Sequence, residues 1–83
     1  MQKPWLSDTE LAARCGQSRV QPWRQTRAGL LPPPVKLSPG CTRWPAHEIE
    51  AIDRARLAGA DDEAVRKLVV ELVAARTAQR VAA

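Results

Sequence analysis

No apolar run in this chain of 83 residues approaches the roughly 20 residues needed to cross a bilayer. The opening "MQKPWLSDTE" has no basic start leading into an apolar core, so the sequence predicts neither a membrane span nor a signal peptide, and a cytoplasmic protein is expected. Cys15 and Cys41 are the only cysteines and His47 the only histidine. A tetrahedral zinc site wants four ligands at paired spacings, which these three do not supply, so both thiols are expected to be reduced and no metal is expected. Cys15, in an apolar-spaced segment, reads as a small buried hydrophobe, and His47, near a helix start, as an ordinary surface histidine. A Ser-His-Asp arrangement and a glycine-rich phosphate loop are also missing. The chain is therefore read as a non-enzyme, with no cofactor and no small-molecule ligand indicated.

A second absence is more informative. From Leu11 to His47 there is no acidic residue, while Arg14, Arg19, Arg24, Arg27, Lys36 and Arg43 all fall in that window. From Glu48 onward seven acids face six bases. The net charge of +4 is thus concentrated in one half of the chain, and nucleic acid is the commonest polyanion that such a patch meets. A merely solvated basic face is the competing reading on charge alone.

What is present outlines a small, mainly α protein with a β-hairpin, limited in the surface it can bury at this length. Ser7 and Glu10 have the spacing of a capping box, which predicts a first helix of about two turns ending at Gly16, with Leu11, Ala12 and Cys15 on one face. Ser18 and Gln21 repeat that spacing before a second helix ending at Gly29. "LLPPPVKLSPGCTRWP" excludes helix and reads as an exposed two-stranded ribbon turning at "SPG", with Pro34 and Pro45 at its outer ends. "AHEIEAIDRARLAG" predicts a third helix. A fourth follows, capped by Asp61 or Asp62, with Val65, Leu68, Val69, Leu72 and Val73 recurring at helical spacing, and its end is expected to fray after Arg76. That stripe must bury either against its own domain or against a second copy, and it is the candidate self-association element of a homodimer.

Helix, short glycine-containing turn, helix, proline-rich bend, basic hairpin and helix, in that order, make a winged helix-turn-helix over residues 1–58, with residues 60–83 as a C-terminal amphipathic extension. "LSDTELAARCGQSR", "AGLLPPPVKL" and "RWPAHEIEA" resemble the AlpA-type phage and prophage regulators, which are related to excisionases and to the DNA-binding head of MerR-type regulators. The resemblance covers about residues 5 to 53. It implies a recognition helix in the major groove of double-stranded DNA and a wing along the adjacent backbone or minor groove.

The residues support the same assignment independently. Arg19, Gln21, Arg24 and Gln25 are the candidates for base edges, because Arg and Gln carry donors and acceptors suited to guanine and adenine. Ser18, Arg27, Lys36, Thr42 and Arg43 are the candidates for phosphate oxygens. Trp23 and Trp44 read mainly as core anchors, and Trp5 packs beside Trp44.

The chain departs from the family pattern at Pro22, where an apolar residue such as leucine is usual, and at Gln25 one turn later. Val20, Trp23 and Leu30 are left to hold the helix down. Pro22 is compatible with a helix over Arg19–Ala28 with a distorted first turn, the favoured expectation, or with a start in which Gln21 is the cap and Pro22 the first helical residue. The function expected is a sequence-specific regulator of phage or mobile-element genes. The alternatives are an excisionase-like factor that bends DNA and a protein-interaction module that uses the stripe of the last helix.

Overall fold

The computed structural model describes residues 4–82, with side chains through residue 77. In chain order the elements are β1 (Trp5–Leu6), α1 (Asp8–Arg14), α2 (Gln21–Arg27), β2 (Val35–Ser38), β3 (Cys41–Pro45), α3 (Ala46–Leu57) and α4 (Asp62–Ala82). The protein is mostly helical, with one small antiparallel sheet.

Local chemistry accounts for most of the boundaries. Ser7 Oγ accepts the Glu10 amide at 3.1 Å while the Glu10 carboxylate accepts the Ser7 amide at 3.0 Å, closing the expected capping box. α1 stops where Gly16 takes a φ of +65°, and the Gln17 amide then returns to the Ala12 carbonyl at 3.0 Å. Cys15 stands at this cap rather than on the helix face, and it is exposed, not the buried hydrophobe expected from its spacing. Gly29 ends α2 in the same way, with the Leu30 amide on the Gln25 carbonyl at 2.9 Å. Asp61 caps α4 by accepting the Ala64 amide at 2.9 Å. α4 continues to Ala82.

The start of α2 differs from both sequence expectations. The Gln21 amide donates to the Ser18 carbonyl at 3.0 Å in a turn through Arg19 and Val20, and the helix begins only at Gln21. Ser18 caps nothing with its side chain, and Pro22 is the second helical residue. At that position a backbone N–H has no intrahelical partner to lose, so the proline breaks no bond. Pro22 is also buried, filling the inward position where an aliphatic residue was expected, while Val20 is exposed.

The sheet has the order β1-β3-β2, so the ribbon expected to be two-stranded has a third member. Trp5 pairs with Pro45 and Leu6 with Trp44 on one side of β3, and Val35 pairs with Arg43 and Lys36 with Thr42 on the other. A Pro39-Gly40 turn with Gly40 at φ +75° closes the hairpin. A bulge lies between Lys36 and Ser38. A turn with Pro then positive-φ Gly does not match the twist of paired strands, and a bulge supplies extra right-handed twist beside it.

A single apolar cluster joins α1, β3, α3 and α4 through Leu11, Leu31, Trp44, Ile49, Ile52, Val65 and Val69. Leu68, Leu72 and Val73 pack partly buried at its edge. The α4 stripe packs on the chain's own core through Val65 and Val69, while Leu68, Leu72 and Val73 keep part of their surface open.

Candidate nucleic-acid interface

The nine residues assigned to DNA fall on two connected pieces, α2 with the turn before it and the β2–β3 hairpin. Ser18 and Arg19 are exposed in the turn, Arg24 and Arg27 are exposed on α2, and Lys36 is exposed on β2. Gln21 and Gln25 are half-buried, less available than a reading of their spacing suggested. Thr42 and Arg43 are half-buried on β3, and the Arg43 guanidinium donates to the Thr42 carbonyl at 2.9 Å. Because α2 begins at Gln21, Arg19 stands outside the helix, in the turn that precedes it.

Two tryptophans hold α2 against the sheet. Trp44 is fully buried, and its indole N–H donates to Thr26 Oγ1 at 3.3 Å. Thr26 Oγ1 in turn donates to the Pro22 carbonyl at 2.8 Å. This relay ties β3 to the buried side of α2, so the helix and the hairpin are set relative to each other by hydrogen bonds as well as by packing. Trp23 meets Trp44 edge to face, with ring centroids 4.8 Å apart and planes at 65°. Trp23 is nevertheless 41% exposed, and is not the core anchor expected.

The Trp23 indole N–H is held by Asp8 Oδ2 at 3.0 Å, linking α2 to the first residue of α1. That bond is the main cause that lowers the Asp8 carboxyl below its ordinary pKa of 3.8. Partial burial opposes the shift, while the Thr9 amide and hydroxyl and the Arg19 charge add to it.

Elsewhere three arginines are engaged by carboxylates, whereas among the described residues Arg54, Arg66 and Lys67 form no carboxylate pair. Arg14 pairs with Asp53, Arg56 with Asp62 at 2.9 Å, and Arg76 with Glu48. Among the described residues, Arg24, Arg27 and Lys36 have no such partner. Strong charge without a local counterion is what a polyanion can neutralise, and the stretch without acids keeps this part of the surface positive.

α4 contributes to the geometry from the far side. Arg66 Nε donates to the Ala28 carbonyl at 3.0 Å, at the C-terminal end of α2, and Arg76 donates to the Pro33 carbonyl at 2.8 Å, just before the hairpin. The two arginines therefore hold both ends of the connection between α2 and β2. Arg76 also clasps Glu48, which is 1% exposed in the first turn of α3, with Nε to Oε2 at 2.8 Å. Asp8, Thr26, Glu48, Arg66 and Arg76 were all missed as positioning residues. Their partners lie 15 to 43 residues away in sequence, and no local spacing marks such pairs.

A surface cavity of about 300 Å³ is lined by Leu6, Glu10, Arg14, Ile49, Glu50 and Asp53 among others, and the Arg14–Asp53 pair lies in its wall. Among the described residues no group of His, Cys, Asp and Glu could hold a metal ion, and no helix is long and apolar enough to cross a membrane. No family model matches the chain, and no curated protein or solved structure matches it either.

Proposed function

We propose that this protein is a sequence-specific DNA-binding regulator of phage or mobile-element genes, built as a winged helix-turn-helix. In this reading α2 enters the major groove and the β2–β3 hairpin is the wing. The observation that carries it is a basic surface built from an acid-free stretch: Arg24, Arg27 and Lys36 stand exposed without carboxylate partners on α2 and the hairpin, and no acidic residue occurs from Leu11 to His47. The order of elements and the resemblance to AlpA-type regulators support it.

Within this reading Arg24 is the principal base reader, with Gln25 and Gln21 at the rim of the contact. Ser18, Arg19, Arg27, Lys36, Thr42 and Arg43 bind phosphates and set register.

The test is selection of bound duplexes from a random pool, followed by affinity measurements on the recovered sequence over a range of salt. Arg19, Arg24, Arg27, Lys36 and Arg43 reaching phosphates or bases should give a log–log salt slope of about −3 to −4. A flat salt response, or a pool from which no sequence emerges, refutes the proposal.

A further inference from the structure

The hairpin carries an exposed large apolar side chain that the core does not use. Leu37 is 44% exposed on β2. Lys36 pairs with Thr42 and Ser38 with Cys41, so Leu37 is the residue of the bulge that faces no cross-strand partner. Bulges re-aim a side chain, and this one sits between exposed Lys36 and the exposed Pro39-Gly40 turn. Folding alone gives no reason to keep a leucine there: a polar residue at the same bulge would leave the cluster around Trp44 intact, since Leu37 is not part of it.

A cationic strand that follows a phosphate backbone brings its neighbouring side chains to the edge of a groove. An apolar side chain in that place has nothing to gain from phosphates, and the apolar surface within reach is the face of a base exposed when two base pairs part. With α2 filling the major groove, the hairpin across the adjoining backbone faces the minor groove, which is where leucine and proline act as wedges between base steps.

We infer that Leu37 is such a wedge, assisted by Pro39, and that it unstacks one base step and bends the duplex. This rests on the DNA-binding reading above. The step it enters should be pyrimidine–purine, because those steps part most readily, so the bulge reads sequence through deformability at a position that no polar side chain contacts.

The experiment uses the full chain and the duplex recovered by selection, end-labelled for energy transfer and carrying a fluorescent adenine analogue at the pyrimidine–purine step beside the α2 site. The wild-type protein should shorten the end-to-end distance and brighten the analogue. Leu37→Ala should abolish both signals while changing affinity by less than about ten-fold, since losing the wedge also removes the unstacking cost. Leu37→Ile should retain both, and thermal unfolding should be unchanged in either variant. Salt-dependent binding by the wild type with no bend and no brightening overturns the wedge but leaves the DNA reading standing. A Leu37→Ala protein that still bends and brightens the duplex overturns it too. No duplex binding by the wild type at all removes both readings together.

Discussion

The Glu48–Arg76 pair is the most consequential contact that joins the C-terminal helix to the rest of the protein. Glu48 is 1% exposed and the Arg76 side chain 25%, so replacing Arg76 with Met leaves a carboxylate in the interior with its partner gone and also frees the Pro33 carbonyl. Removing one member of a fully buried pair costs about 3–5 kcal/mol. The guanidinium here is reachable by water from one side, which lowers the expected loss to about 2–3 kcal/mol. In a chain of this size each kcal/mol moves the melting temperature by about 4–8 °C, so Arg76→Met should melt about 10–20 °C below the wild type. Glu48→Leu combined with Arg76→Met should recover much of that loss, because two apolar side chains replace the pair without an orphaned charge. Thermal and urea unfolding of the two single variants and the double variant decide the matter. A melting temperature within about 3 °C of wild type for Arg76→Met, or a double variant that falls by the sum of the two single losses, refutes the reasoning.

Pro22→Leu should melt a few degrees lower than wild type. The proline loses no hydrogen bond at the second helical position, restricts the unfolded chain by about 0.4–1 kcal/mol, and already fills its buried site; a rise in melting temperature would show it to be an impediment. Asp8→Asn should flatten the acid limb of the stability profile. The folded carboxyl titrates below its unfolded value of 3.8, so its contribution is complete above about pH 5 and is lost as pH falls through its lowered pKa. Unfolding titrations on both proteins check this, and equal acid sensitivity would contradict it. On the selected duplex, Arg24→Ala should cost about 1–3 kcal/mol and relax preference at one base position, whereas Lys36→Ala should weaken all sequences alike and reduce the salt slope by about 1. Competition assays at two salt concentrations separate the two outcomes, and identical behaviour of the two variants would refute the division of roles.

The elements legible in the sequence are those whose determinants lie within one turn of chain. The Ser7–Glu10 box, the glycines at 16 and 29, the Asp61 cap and the Pro39-Gly40 corner each place a backbone group against a neighbour three to five residues away, and the structure realises each. The second box failed on the same local ground. Ser18 and Gln21 have the right spacing, but the residue before a proline is turned away from helical angles unless a turn already holds it, and here the bond from the Gln21 amide to the Ser18 carbonyl supplies that turn. Helical spacing likewise marked Cys15 as inward only as long as the helix lasted. α1 ends one residue earlier, and the thiol turns to solvent.

What no local pattern conveys is how the two pieces of the candidate interface acquire a fixed relation. α2 and the hairpin are separated by "LLPPP", a segment that predicts extended backbone but no direction. The direction comes from residues remote in sequence: Trp44 through Thr26 to Pro22 on one side, and Arg66 and Arg76 at the two ends of the segment on the other. The α4 stripe reads in sequence as a surface seeking any apolar partner. The bonds of Arg66 to Ala28 and of Arg76 to Pro33 accompany its packing on the chain's own core. An extension that looks separable from the basic half is thus a structural part of it: truncation before Arg66 would expose the core at Ile49 and Ile52 and release both ends of the connector, so α2 and the hairpin should lose their fixed geometry together with the fold.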